Sequence, residues 1–186
     1  MNLSIIGKML RGVRAGDRNL ACNSEALRTA PATIQLTSES FSNGGAMPKW
    51  SAGEGVGDNI SPQLAWHGVP PDAREVILIV QDPDAPLPRP VVHLIAYGID
   101  PQRTSFAKGA LAQPSADFTL GRGTFGKPGY QGPRPVPGHG AHRYIFQLVA
   151  SKAALAFAAP PKLDAVVAAL NGRVLAWGQL VGLFER

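Results

Sequence analysis

The sequence predicts a mainly β domain: an antiparallel β-sandwich with a few short helices, one of them near the C-terminus. Three observations carry this. Segments 75–80, 91–99 and 142–149 are dense in β-branched, aromatic and leucine residues and are bounded by Gly or Pro. The 21 Gly and 17 Pro residues call for many turns. Only one segment keeps a helical apolar stripe for two turns.

Residues 1–30 are polar, basic and without a sustained period, so they are expected to form a flexible N-terminal extension to a single domain over 31–186. Their apolar patch, Leu3-Ser4-Ile5-Ile6, is shorter than the roughly 7–15 residues of a signal-peptide core, and its charges follow it. A short surface helix and a cytoplasmic location are the expectations. Thr33–Thr37 alternates as a half-buried strand does. The passage from Ser42 to Pro62 is turn-rich and belongs on the surface. Glu75–Val80 is a continuous apolar run, the mark of a strand covered on both faces, and it stops at Asp82-Pro83. Val91–Ile99 is the next strand. A Gly/Pro loop over 121–140 leads to a third, starting at His142. Leu163, Val166, Val167 and Leu170 give the helix its stripe, with Pro160-Pro161 before it and Asn171-Gly172 after it. Val174–Phe184 reads as a closing strand.

The net charge of +5 is concentrated at the start of the chain. Residues 1–30 hold five basic and two acidic groups, leaving 13 and 11 in the rest. No stripe of Lys/Arg and aromatics marks the domain, which argues against nucleic acid. Five basic groups spread over 30 residues make a poor membrane anchor, and no apolar run nears the roughly 20 residues of a span. Cys22 is the only cysteine, so no intramolecular disulfide can form.

Side-chain parity locates the candidate chemistry. Val76, Leu78 and Val80 lead to Asp82; Val91 and Ile95 flank His93; His142 shares a face with Tyr144, Phe146 and Leu148. Any one of these has a bland explanation, since a strand His is commonly a hydrogen-bonded core residue and an Asp before Pro a turn residue. Three together, beside the stiff loops 82–86 and 129–140, point to a pocket for phosphate or carboxylate, with imidazoles as donors and Asp82 orienting them. Arg143 points away from that face, towards an ion pair. Metal binding by Asp82, His93, His139 and His142 is weaker, because His139-x-x-His142 lacks the helix and adjacent Glu of a zinc protease and His139 sits between glycines. Ser61 and Ser115 sit in no nucleophile elbow; Asp82 and His142 activating a water is the enzymatic alternative. No cofactor is expected.

Asp82-Pro-Asp-Ala-Pro86, the strand His93, and Gly129-Tyr-Gln-Gly-Pro133 followed by Gly138-His-Gly-Ala-His-Arg-Tyr144 resemble the phosphatidylethanolamine-binding protein family, above all its bacterial, Raf kinase inhibitor-like branch. Phe41–Pro48, Asp58–Trp66 and Val174–Gly182 extend the resemblance over about residues 32–186. Val91 and Val92 stand where that branch often has aromatics. The resemblance implies a β-sandwich and a non-enzymatic, regulatory binding protein for a lipid-type phosphorylated head group or a carboxylate. It carries a ligand-binding set onto Asp82, Asp84, Pro86, His93, Tyr130, Gly132, Pro133, His142 and Tyr144. It also implies a protein partner, a kinase or a protease, met through the loops around the pocket, and is compatible with a homodimer.

Overall fold

In the computed structural model, which describes residues 3–186, the apolar runs become the centre of a six-stranded sheet. Its long strands are β4 (Glu75–Asp82), β5 (Val91–Ile99), β8 (His142–Ser151) and β9 (Val174–Phe184). Two-residue strands, β2 (Gly45–Ala46) beside β9 and β7 (Thr119–Leu120) beside β5, form its edges. A smaller sheet of β1 (Gln35–Thr37), β3 (Leu64–His67) and β6 (Ser105–Phe106) packs over one face. Every pairing is antiparallel except β2 with β9. The fold is the mainly β two-sheet arrangement expected, with few short helices and one near the C-terminus.

Strand β4 is buried along its whole length because both of its faces are covered. Val76, Leu78 and Val80 meet Leu94, Phe146, Leu148 and Trp66 in the core between the sheets. Ile77 and Ile79 point the other way, to Ile95, Val149 and helix α3 (Leu163–Leu170), whose Val166 and Leu170 are fully buried. Each such aliphatic side chain contributes about 1.5–3 kcal/mol on burial.

The segment expected to be a flexible extension lies folded on the sheet. Helix α1 (Leu3–Met9) lies against the loop before β8, while helix α2 (Glu25–Arg28) and the short 3-10 turns before it cover the sheet, with Leu20, Ala21, Cys22 and Leu27 buried. Two buried glutamines hold it there. Gln81 Oε1 accepts from the Ala21 amide at 2.8 Å, and Gln147 Oε1 from the Cys22 amide at 2.7 Å. These apolar residues show no period because irregular chain, not one long element, presents them.

Strand β5 carries two bulges that the sequence pattern does not announce. Val76 and Leu78 pair with Ile99 and Ala96, leaving Tyr97 and Gly98 opposite Ile77; Val80 and Gln81 pair with Leu94 and Val92, leaving His93 as the extra residue. Bulges re-aim side chains and break the period of two. Ile95 therefore faces α3, not the side of His93 as strict alternation predicts.

Candidate functional site

The second bulge opens the site. With His93 outside the β4 ladder, its carbonyl accepts from the Gln131 amide at 2.9 Å, and its Nδ1–H donates to the Gln131 carbonyl at 2.5 Å. This reciprocal pair ties the loop before β8 to β5 and turns the imidazole onto Tyr144, edge-on at 5.1 Å between centroids. Asp82 closes β4 two residues beyond Val80, so it sits on the inter-sheet side. Its Oδ1 accepts from the Asp84 and Ala85 amides, an Asx turn that Pro83 stiffens, and its Oδ2 accepts from His142 Nδ1 at 2.8 Å.

Around these residues lies a pocket of about 530 Å³, lined by Asp82, Pro86, His93, Gly132, His142 and Tyr144 from the expected set, and by Leu87, Phe125, Lys127 and Arg134 nearer its mouth. Three expected residues lie elsewhere. Asp84 turns back towards the N-terminal segment, where Arg143 and Arg14 grip it at 2.8 and 3.0 Å; Arg143 holds its carboxyl down at about 2 despite burial. Tyr130 is a buried strut donating to the Ser51 carbonyl at 3.0 Å. The Pro133 carbonyl is taken by the Gly53 amide. Gly132 does border the pocket, but its amide is bonded to Asn59 Oδ1 at 2.7 Å. Arg143 leaves the pocket face, as its parity predicts, and also pairs with Asp17.

Two buried polar atoms of the wall have no hydrogen-bond partner: His93 Nε2 and the Tyr144 hydroxyl. Burial raises the Tyr144 phenol far above its ordinary range, and the Asp82 charge adds to this, so the group is an O–H donor. The Arg134 amide lies near that oxygen without hydrogen-bond geometry. Burial lowers the basicity of His93 against the opposing pull of Asp82. With Nδ1–H spent on Gln131, neutral His93 offers Nε2 as a lone pair. His142, expected to be a free donor, has neither nitrogen free, since Nε2 meets His139 Nδ1 at 2.7 Å. His139 is buried and was not legible as a partner: it stands between glycines, and its other contacts come from residues 10 and 13. Among the described residues, no group of three His, Cys, Asp or Glu side chains is placed to hold a metal ion. Ser61 and Ser115 are outside the pocket lining.

The profile of the phosphatidylethanolamine-binding protein family matches residues 37–185. The chain belongs to this family. A UPF0098 protein of Aquifex aeolicus is 32% identical over 170 residues, 90% of this chain and 98% of its own length. A UPF0098 protein of Chlamydia trachomatis is 34% identical over 160 residues, 82% of this chain and 99% of its own. Among solved structures, a phosphatidylethanolamine-binding protein homologue from Chlamydia trachomatis superposes with a TM-score of 0.75 at 32% identity, covering 84% of this chain and 99% of that one. Escherichia coli YbcL gives 0.76 at 27% identity, covering 83% and 99%. These relatives place the chain in the family's UPF0098/YbcL-like bacterial branch. No helix among the described residues is long and apolar enough to cross a membrane.

Proposed function

We propose that this family member is a non-enzymatic, regulatory binding protein whose pocket takes one small anion, a phosphate or phosphorylated head group or a carboxylate. The observation that carries the reading is the pair of unpartnered buried atoms, His93 Nε2 and the Tyr144 hydroxyl, in one pocket wall. Native proteins rarely leave such atoms unsatisfied, and each one costs about 1–3 kcal/mol when it is. The pair asks for a ligand with an acceptor beside a donor. A singly protonated phosphate monoester meets this by accepting from Tyr144 and placing its own proton on or towards His93. Lys127 and Arg134 add positive charge at the mouth, where Lys127 faces Glu54 at 4.0 Å. The hydrolase alternative through Asp82 and His142 is less supported, because a general base needs a free nitrogen and both on His142 are bonded.

The test is a ring-nitrogen NMR titration with inorganic phosphate and with phosphoethanolamine near about pH 6.5. His93 resonances should move on addition of either ligand and should stay still in Tyr144→Phe. That variant removes an unpaired hydroxyl and should change stability by less than about 1 kcal/mol. A folded protein whose His93 signals ignore both ligands would rule the reading out.

A further inference from the structure

Behind the pocket wall the hydrogen bonds form one chain: Asp82 Oδ2 to His142 Nδ1 at 2.8 Å, His142 Nε2 to His139 Nδ1 at 2.7 Å, and His139 Nε2 to the Leu10 and Val13 carbonyls at 2.8 and 3.1 Å. Both outer contacts end on oxygen. A main-chain carbonyl carries no hydrogen, so His139 Nε2 must. The Asp82 carboxylate, already accepting two amides at Oδ1, takes its hydrogen from His142 Nδ1. The inner nitrogen–nitrogen contact needs a hydrogen of its own. Three contacts therefore need three protons, whereas two neutral imidazoles bring two.

We propose that His139, which does not line the pocket, is a positioning residue for the anion site: with His142 it holds a third proton, imposed by the Leu10 and Val13 carbonyls, that cancels the charge of Asp82 in the wall. The inference rests on the anion-binding reading for its effect, though not for the proton count. Without the third proton, Asp82, His142 and His139 together carry one negative charge beside the place an anion must occupy. With it they are neutral. Three nearby arginines are themselves partnered. From the N-terminal segment, Arg14 is bound to Asp84 and the Ala141 carbonyl, and Arg11 to the Gly138 carbonyl. From β8, Arg143 is bound to Asp84 and Asp17. Towards the pocket the pair faces neutral His93 and the un-ionised Tyr144.

The N-terminal segment thereby becomes part of the site. Gly7 of α1 lies so close to the loop before β8 that a Cβ there would run into the Pro137 carbonyl and come within 2.8 Å of the His139 amide. Gly7→Ala should lift the Leu10 and Val13 carbonyls off His139 without altering either ring.

Proton-coupled ring-nitrogen NMR on the full chain counts the protons directly. The wild type should show three of the four His139 and His142 ring nitrogens carrying hydrogen, at both about pH 6 and about pH 7.5. Gly7→Ala should drop the count to two at the higher pH and weaken inorganic phosphate binding about tenfold. His139→Leu, which keeps a buried volume there, should leave His142 with one protonated nitrogen. A count of two in the wild type at about pH 7.5 overturns the inference, whatever the variants do. If the count is three and phosphate does not bind, the anion reading fails alone. If phosphate binds and the count is two, His139 is ordinary packing.

Discussion

Strand β4 begins and ends on a buried carboxylate, and β5 bulges opposite both ends, yet the two ends behave differently. At the far end Glu75 accepts from the Gly98 amide, which the bulge turns inward at a left-handed φ of 71°, and from the Leu155 amide. Both Glu75 oxygens are satisfied there, and the adjoining hollow of about 820 Å³, bordered by Arg74, Asp100 and Arg103, is open to solvent. At the near end the bulge presents a side chain, His93, instead of an amide. Asp82 is as well satisfied as Glu75, but the residues beside it leave His93 Nε2 and the Tyr144 hydroxyl waiting. The same irregularity closes one end and opens the other; the difference is whether a glycine or a histidine occupies it.

Asp82→Ala should have the largest effect of any change at either end. It strands two amides and the His142–His139 chain, so urea unfolding should show a loss of about 3–5 kcal/mol. Glu75→Gln should cost only about 1 kcal/mol in the same measurement, since the amide keeps one acceptor while burial already disfavours the Glu75 charge. It should leave phosphate binding unchanged. An equal loss for both variants would mean that the two ends are not distinct.

Acid separates the ends more gently. Burial depresses His93, so its contribution is present above the ordinary imidazole value of about 6.5 and is lost as pH falls. Asp84 titrates at about 2 in the fold, so its contribution holds above 3.8 and fades towards pH 2. Glu75, pushed upward, works the other way: its contribution is present at low pH and declines once the pH passes the ordinary carboxyl range. Urea midpoints should therefore fall from about pH 7 to about pH 3, and His93→Gln should remove the upper part of that fall.

Much of the framework was legible because β4, β5, β8, β9 and α3 each have a period that matches their burial. Asp82, His142 and Tyr144 followed from the same alternation. His93 reached the pocket for a different reason: the bulge, not parity, aims it, and Ile95 went to the opposite face in consequence. Asp84 escaped the reading because the strand stops at Asp82, after which the Pro83 turn delivers it to Arg143. The N-terminal segment was illegible for want of a local signal. Its anchors, Gln81 and Gln147, lie 60 and 125 residues away in sequence, and one sequence gives no means of pairing them.

The brevity of the edge strands bears on how the protein behaves when crowded. Val76-Ile-Leu-Ile-Val80 has the composition of a segment that stacks into fibrils: apolar, β-branched and uncharged. In the native state it is sandwiched between β5 and β8, and the sheet ends on two-residue strands that offer little template for another chain to extend. Native molecules should therefore tolerate high concentration, whereas chains that have not yet zipped β8 and β9 onto β4 would expose the segment. Aggregation should consequently follow the rate at which those distant strands arrive during refolding, more than the stability of the finished sheet.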